Sequence, residues 1–254
     1  MSFDPAHTQR EYAVRFDWGP TGAAATAADI AVVVDVLSFT TTLSVAVERG
    51  IEVLPFRWRD DRAAAYAEEQ GATLAVGRFE ARSTTAGAEV SLSPASVAAA
   101  EGLKRLVLPS PNGSAISFGL ADSGAIVLGA SLRNRRAVAA YVATLAAESV
   151  TVIAAGERWP DGSLRPCVED LWGAGAVLSA LADLGVTGLS PEARVAEASY
   201  RAVESRLAED LGACAGAREL AEAGFADDVE VAAQLDVSHA VPLLVDGVYV
   251  AQPG

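Results

Sequence analysis

The chain has 254 residues, enough for one large α/β domain or two small ones, and it can bury a core without disulfides or a structural metal. Its formal net charge of −14 argues against nucleic acid as a partner, because phosphate backbones are bound by clustered cations. The same charge disfavours anionic membranes, whereas a small anionic substrate remains compatible because a local site can oppose the global field.

The cysteines, the N-terminal residues and the length of the apolar runs argue against further classes of protein. Cys167 and Cys214 lie far apart and outside any CxxC pair, so neither a zinc site nor a thioredoxin-type motif is supported. Residues 1–15 carry four charged side chains and no apolar stretch, which argues against a signal peptide. No run approaches the roughly 18 apolar residues that span a bilayer. We therefore expect a cytoplasmic protein.

Short runs rich in Val, Ile and Leu alternate along the chain with amphipathic stretches. The runs predict strands at residues 30–35, 51–56, 73–76, 106–108, 125–128 and 150–155. The intervening stretches predict helices at 41–49, 60–70, from 94, from 114, 134–147 and 170–184. This alternation predicts an α/β fold, a three-layer α/β/α sandwich with a largely parallel, mixed central sheet, in a single domain over residues 1–254.

Capping and turn residues support several of these boundaries. Gly50 and Gly71 are placed to end helices, and Ser93-Pro94 supplies an N-cap followed by a proline at the first helical position. Residues 191–234 contain little β signal and predict a helical side layer or lid. The dipeptide Asp246-Gly247 predicts a hairpin turn between strands at 241–245 and 248–250.

Polar loops follow three of the predicted strands, where α/β sheets commonly bind ligands. In the first loop, Asp35 ends a buried strand, and Thr40, Thr41 and Thr42 open a helix. Helix N–H groups and the helix dipole there favour an anion. An ordinary threonine cap and a satisfied Asp35 explain the same pattern, so both interpretations stay open.

The second and third loops carry similar signals. Asn112 and Gly113, between serines at 110 and 114, suit either an oxyanion-binding turn or a plain turn. The third loop, residues 156–170, ends in Glu169 and Asp170 at a predicted helix start. Paired acids in this position either complement the helix dipole or supply the hard oxygen ligands that Mg²⁺ uses.

Known phosphatase nucleophiles are mostly excluded by spacing. Cys167 is followed six positions later by Gly173 instead of the arginine of the protein-tyrosine-phosphatase loop. Leu37 stands where a haloacid dehalogenase would need its second aspartate, and neither histidine has a phosphohistidine signature. The remaining candidate nucleophile is a water molecule that is activated by a metal ion, with carboxylates as the ligands of that ion.

From about residue 31 onward, the chain resembles the 2-phosphosulfolactate phosphatase family. The family segment DVLRATTT resembles DVLSFTTT at residues 35–42, and its NSP element resembles Leu92-Ser93-Pro94. Its TTNGT loop is similar to residues 110–114, and its AG…ED…AG pattern to residues 155–156, 169–170 and 174–175. A later aspartate and Val-Pro pair resemble Asp228 and Val241-Pro242.

This resemblance implies Mg²⁺-dependent hydrolysis of 2-phosphosulfolactate to sulfolactate and phosphate, as in coenzyme M biosynthesis. The implied catalytic residues and metal ligands are Asp35, Glu169 and Asp170. The implied substrate-binding residues are Thr40, Thr41, Thr42, Ser93, Asn112, Gly113 and Ser114. The implied partner is a small phosphorylated anion, with no nucleic acid and no membrane, and a homodimer is an open prediction.

The chain departs from the family pattern at Ser38 and Phe39, where the family has an arginine and a small residue. The arginines considered as replacements for that cation are Arg78, Arg82, Arg133 and Arg158, and Glu80 is considered as another ligand. The departures leave two alternatives to an active phosphatase. One is a catalytically silent anion binder, and the other is an interaction protein whose Ala-rich C-terminal helices pair subunits.

Overall fold

In the computed structural model, which describes residues 3–57, 61–83 and 90–252, a nine-stranded mixed sheet forms the central layer. In chain order, the strands are β1 (Val14–Trp18), β2 (Ile30–Val34), β3 (Glu52–Phe56), β4 (Thr73–Leu74), β5 (Arg105–Pro109), β6 (Ile126–Ala130), β7 (Val150–Ala154), β8 (Glu157–Arg158), β9 (Leu164–Arg165), β10 (Pro242–Val245) and β11 (Val248–Ala251). Strands β8 and β9 form a separate antiparallel pair.

Helices connect most of these strands. They are α1 (Gly19–Ala25), α2 (Phe39–Glu48), α3 (Asp61–Glu69), α4 (Arg78–Ser83), α5 (Pro94–Ala99), α6 (Gly113–Ala121), α7 (Arg135–Thr144), α8 (Val168–Asp183), α9 (Pro191–Val203), α10 (Leu207–Ala213), α11 (Ala215–Glu222) and α12 (Ala226–Ala232). Short 3-10 helices cover Pro5–His7 and Glu204–Arg206. In the part of the chain described, no helix combines the length and apolar character that a membrane span requires.

The strand order of the large sheet is β1-β7-β2-β6-β10-β11-β3-β5-β4. Neighbours within β1-β7-β2-β6 and within β3-β5-β4 are parallel. The β10–β11 hairpin lies between these two groups and is antiparallel to β6 on one side and to β3 on the other. The predicted mixed, largely parallel sheet is confirmed, and the hairpin is what makes it mixed.

Alternating side chains of β2 show how the sheet is covered on both faces. Ile30, Val32 and Val34 pack in one apolar cluster with residues of α7, α8 and α9. Ala31 and Val33 pack in a second cluster with residues of α2 and α6. All five residues are fully buried, as expected of a strand that has helices on both sides. The three-layer α/β/α fold is thereby confirmed.

Two glycines allow α8 to lie close to its neighbours. A Cβ on Gly173 would lie 2.5 Å from Val36 Cγ2, and a Cβ on Gly175 would lie 2.8 Å from the carbonyl carbon of Ala196. Real Cβ atoms essentially never approach other atoms so closely. The absence of these side chains therefore lets α8 pack directly on the loop after β2 and on the backbone of α9.

Several predicted boundaries are confirmed by backbone geometry. The hydroxyl of Ser93 accepts the N–H of Ser96 at 3.1 Å and caps α5, whose first residue is Pro94. Asp246 and Gly247 both have positive φ (50° and 81°), the combination that a type I′ hairpin turn requires. Residues 191–234 form the helical segment α9 to α12, as predicted.

The structure also contains elements that the sequence pattern did not predict. These are β1, α1, α4 and the β8–β9 pair. The strand predicted at residues 73–76 contains only two residues, and Val76 instead forms an isolated bridge with Ser91. Asp60, expected near the start of α3, lies outside the described residues.

Replacing Gly175 by alanine tests the close packing of α8 on α9. We expect Gly175→Ala to lower the free energy of unfolding by about 1–3 kcal/mol, because the added methyl group meets backbone that cannot move aside. Gly119→Ala in α6 is the matched control, since a Cβ there meets no atom within 4 Å. That control should raise the free energy of unfolding by about 0.5–1 kcal/mol. Urea denaturation of both variants measures the difference, and equal effects would contradict it.

Candidate active site

A cavity of about 620 Å³ opens where the polar loops after β2, β5 and β7 meet. The wall residues from these loops and from the start of α8 are Asp35, Leu37, Ser38, Phe39, Ser110, Pro111, Asn112, Gly156, Glu157, Arg165, Cys167, Glu169 and Asp170. Further wall residues come from α4 and from the segment around α11, among them Arg78, Glu80, Gly216, Glu219 and Leu220. The three loops predicted to carry chemistry thus surround one space.

The carboxylate of Asp170 joins two of these loops. It lies in the first turn of α8 and is 4% exposed. Its Oδ1 accepts the N–H of Val36 at 2.7 Å, and its Oδ2 accepts the N–H of Gly156 at 2.8 Å. These bonds hold the ends of β2 and β7 at a fixed distance from the α8 N-terminus. Asp170 therefore orders the rim of the sheet as well as lining the cavity.

Asp35 is the second buried acid, and it lies directly after β2. Its Oδ1 accepts the N–H of Phe39 at 3.1 Å, and the N–H of Gly113, which donates to Ser110 Oγ at 3.1 Å, lies close enough to lower the pKa of Asp35. A Cβ on Gly113 would lie 2.7 Å from Phe39 Cγ and 3.0 Å from Asp35 Oδ2. Only glycine at this position lets the loop after β5 come so close to Asp35.

The carboxyl group of Asp35 is held in an environment that resists ionisation. Burial is the main cause that raises the pKa of Asp35 to about 6, and the negative charge of Glu157 adds to it. The N–H groups of Phe39 and Gly113 and the guanidinium of Arg78 act in the opposite direction. Asp35 is consequently a carboxylate at neutral pH that can accept a proton readily.

The pKa of Asp170 is raised well above its ordinary value, first by burial and then by the charges of Asp35 and Glu169. The N–H groups of Val36 and Gly156 lower it. Asp35 and Asp170 therefore repel one another across the cavity floor, and a positive charge placed between them would relieve the repulsion.

Glu169 and the two cysteines lie on the α8 and α11 side of the cavity. The negative charge of Glu169 acts on the Cys214 thiol, and a Cβ on Gly216 would lie 3.3 Å from Glu169 Cδ. Burial raises the pKa of Cys214 to about 12 and also raises that of Cys167. Neither thiol is therefore ionised near neutral pH, in keeping with the exclusion of a cysteine nucleophile from spacing.

Predicted anion-binding hydroxyls point into the protein instead. Thr40 Oγ1 donates to the carbonyl of Asp35 at 2.8 Å, Thr41 Oγ1 to Val36 at 2.7 Å and Thr42 Oγ1 to Leu92 at 2.9 Å. Ser114 is likewise fully buried, with its hydroxyl 3.2 Å from the carbonyl of Leu108. Among the described residues that line the cavity, these four do not occur. They shape the loops that carry Asp35 and Gly113.

Ser93 and Asn112 take part in contacts around the cavity. Asn112 lines it and donates from Nδ2 to Glu157 Oε1 at 3.0 Å. The hydroxyl of Ser93 donates to the carboxylate of Asp228, which also accepts Arg78 Nε at 2.7 Å. Ser93 thus acts on the cavity indirectly, by bonding the aspartate that holds Arg78. Asp228 is included in the family resemblance but is not among the predicted site residues.

Arg78 is the replacement cation that the structure places at the cavity. Its guanidinium also donates to Ser38 Oγ, the side chain that stands where the family pattern has an arginine. Arg133 instead pairs with Glu48 at 2.8 Å, and Arg158 donates to the carbonyl of Gly162 at 3.2 Å. The side chain of Arg82 lies outside the described residues. Arg165, in the third polar loop, also lines the cavity and was not considered as a replacement.

Phe39, the other departure, is a core residue. It is 5% exposed, and its ring packs edge-on against Tyr249 of β11 with the ring centroids 6.3 Å apart. Tyr249 is held in turn by a 2.8 Å hydrogen bond to Ser117. Phe39 therefore links the loop after β2 to the central hairpin of the sheet.

The described residues contain no group of three or more His, Cys, Asp and Glu side chains close enough to hold a metal, so a Mg²⁺ ion here would depend on fewer protein ligands. Mg²⁺ is usually bound through one or two carboxylates together with water and substrate phosphate. Asp35 and Asp170 supply two buried carboxylates whose pKa values are both raised. Their mutual repulsion is the condition that a divalent cation relieves.

The fold and cavity define an α/β enzyme with an acid-lined active site. The family model for 2-phosphosulpholactate phosphatase matches residues 20–247, and the chain belongs to this family, whose members are phosphoric monoester hydrolases. A probable 2-phosphosulfolactate phosphatase of Thermus thermophilus is 33% identical over 85% of this chain and 88% of its own length. A protein of the same description from Deinococcus radiodurans is 31% identical over 86% and 89%, respectively.

The raised pKa of Asp35 predicts a pH-dependent effect of Asp35→Asn on stability. A folded-state pKa of about 6 lies above the ordinary value of 3.8, so wild-type protein loses stability as pH rises through this interval. The variant lacks this titration. Its free energy of unfolding should therefore rise relative to wild type by about 1–2 kcal/mol between pH 5 and pH 7.5. Urea denaturation in the presence of EDTA measures it, and a pH-independent difference would contradict the assignment.

Proposed function

We propose that this enzyme hydrolyses 2-phosphosulfolactate to sulfolactate and inorganic phosphate in the cavity around Asp35. The observation that carries the proposal is the convergence of the Asp35 and Asp170 carboxylates on one cavity, where Gly113 of the loop after β5 packs against Asp35. The substrate is taken from the printed names of relatives that cover most of the chain.

In this proposal, Asp35 is the general base. A carboxylate near pKa 6 is ionised at neutral pH and still basic enough to take a proton from a water molecule that attacks phosphorus. The hydrogen bond from Phe39 and the close packing of Gly113 fix its orientation, and each carboxylate oxygen retains further lone pairs for the cavity. The low exposure of Asp35 strengthens these contacts, because electrostatic interactions are stronger where the local dielectric is low.

Asp170 positions the reacting groups. By accepting the N–H groups of Val36 and Gly156, it keeps the loop that carries Asp35 in register with the end of β7. Arg78 supplies positive charge on the Asp35 side of the cavity, where a phosphate would lie. Asp228 and Ser38 hold its guanidinium in place, so little side-chain freedom is lost when an anion binds.

Mg²⁺ is the proposed cofactor, with Asp170 as the residue that would hold it, Glu169 as a neighbouring acid and Asp35 as the nearby carboxylate whose charge would attract it. When bound, such an ion supplies positive charge that polarises the phosphoryl group. Six acidic side chains and two arginines occur among the described wall residues, and this excess of acids favours a cation as a second component of the site.

A catalytically silent anion binder is the alternative raised by Ser38. The contact of Arg78 with Ser38 favours an active enzyme, because it provides a cation next to the position that departs from the family pattern.

Four further expectations stay predictions. They are a cytoplasmic location, a role in coenzyme M biosynthesis, a homodimer and the lack of a nucleic-acid partner.

The general-base assignment predicts that Asp35→Asn lowers kcat for phosphate release by about 100-fold or more. The amide keeps an acceptor for the N–H of Phe39 but cannot take a proton. Asp122→Asn, an exposed position after α6, is the control and should retain wild-type activity. Phosphate release from 2-phosphosulfolactate is the measurement. An active Asp35→Asn enzyme would remove Asp35 from the mechanism.

The metal assignment predicts that Mg²⁺ raises the unfolding temperature of the wild-type protein and not of Asp35→Asn. At ten times the dissociation constant the gain is about 1.4 kcal/mol, or roughly 3–6 °C for a chain of this size. Differential scanning calorimetry after EDTA treatment measures it, with Asp122→Asn expected to respond like wild type. An equal response from Asp35→Asn would place the ion elsewhere.

A further inference from the structure

Two arginines, Arg78 and Arg165, are the cations among the described residues that line the cavity. They come from different elements, α4 and β9, and their surroundings differ. Six acidic side chains share the same wall, so these two arginines are the charge partners that the described wall residues offer to an anion. The part of the substrate that each arginine binds therefore determines how the substrate lies.

Arg78 is already partly neutralised and rigidly held. Its Nε bonds the buried carboxylate of Asp228 at 2.7 Å, and its guanidinium lies 5.8 Å from the ring centroid of Phe225. It also donates to Ser38, three residues beyond Asp35. Arg78 therefore belongs to the end of the cavity at which Asp35 acts.

Arg165 is half-buried and has a different set of contacts. Its guanidinium lies over the ring of Trp159 at 5.7 Å, and no salt bridge or side-chain hydrogen bond is formed to it by the described residues. A guanidinium has five N–H donors in a planar fork that matches a carboxylate or another oxyanion. Its stacking on Trp159 restrains the side chain while leaving these donors available.

Arg165 lies in the part of the cavity wall formed by β9 and the start of α8. Its backbone carbonyl accepts the Cys167 thiol at 3.5 Å, and its charge acts on Cys167 at the start of α8. The β8–β9 pair that carries it follows β7 directly, so its position is set by the loop that Asp170 binds at Gly156. An ester whose phosphate lies beside Asp35 and Arg78 would extend its remaining groups towards this second cation.

We propose that Arg165 is a specificity-determining residue that binds a second anionic group of the substrate, a sulfonate or carboxylate on the alcohol part of the phosphate ester. The substrate class is then a phosphate monoester of a small alcohol that carries its own negative charge. This inference rests on the proposed function and deepens it.

The test compares two esters across three proteins. The substrates are 2-phosphosulfolactate and 2-propyl phosphate, which lacks both additional anionic groups. Arg165→Gln should lower kcat/KM for 2-phosphosulfolactate by about 10- to 100-fold, mainly through KM, and change kcat/KM for 2-propyl phosphate by less than about threefold. Arg158→Gln, on the paired strand and with its guanidinium bonded to the Gly162 carbonyl, is the control and should match wild type.

Arg165→Lys keeps the charge and should recover part of the lost specificity, which separates recognition from a merely structural role. An equal loss on both esters, or no loss on either, would overturn the proposal. Calorimetry with sulfolactate gives a readout that needs no turnover: binding should weaken about 10- to 100-fold in Arg165→Gln and stay unchanged in Arg158→Gln. If wild type releases no phosphate from either ester, the proposed function fails, and sulfolactate binding that still depends on Arg165 would leave Arg165 as an anion-binding residue without a role in turnover.

Discussion

The buried carboxylate of Asp170 is the constraint on which the rest of the site depends. Through one hydrogen bond to Val36 and one to Gly156, it joins the ends of β2 and β7 to the first turn of α8. The same group lies close enough to Asp35 for the charge of Asp35 to add to burial in raising the pKa of Asp170. A single side chain thus sets the geometry of the rim and makes the site electrostatically costly when no cation is present. Stability and function oppose each other at this point of the fold.

Much of the fold follows from local patterns in the sequence. The apolar run of β2 predicts a strand buried on both faces, and the dipeptide Asp246-Gly247 predicts the hairpin turn whose positive φ angles are observed. β1 was missed because Arg15 and Asp17 interrupt its apolar residues. Arg15 is nonetheless buried, with its guanidinium bonded to the carbonyl of Ala27. A charged side chain whose hydrogen-bond partner is distant in the sequence gives no local pattern from which its burial can be predicted.

The prediction that the three polar loops meet rests on the parallel direction of their strands, and this argument applies to only two of the three loops. In a parallel sheet the carboxyl ends of strands share one edge, and this accounts for β2 and β7, which are parallel neighbours. β5 belongs to the other parallel group, beyond the antiparallel β10–β11 hairpin, so the rule does not by itself bring Gly113 to Asp35. Their contact depends on the three-dimensional course of the whole sheet, which local patterns do not contain.

The roles of the threonines could not be decided from their sequence positions. A hydroxyl at a helix start can bind a ligand or satisfy nearby backbone, and both choices have the same local pattern. In the structure, Thr40 and Thr41 bond backbone within their own loop, and Thr42 bonds Leu92. The role of Arg78 could not be predicted either, because this residue of α4 reaches Ser38 only through tertiary packing. The acids at 35 and 170 were easier to predict, since a polar side chain next to a buried strand or helix start is conspicuous.

The position of β10 and β11 has a consequence for how the polypeptide acquires its structure. These strands are made after all the other strands of the sheet, yet they lie between β6 and β3. During synthesis, β1, β2, β6 and β7 can associate with one another, as can β3, β4 and β5, but the two groups have no bridging strands until residue 251 has left the ribosome. Pairings of such large sequence separation slow folding and leave unpaired strand edges exposed in the nascent chain. A truncation that removes the hairpin would divide the sheet at its centre.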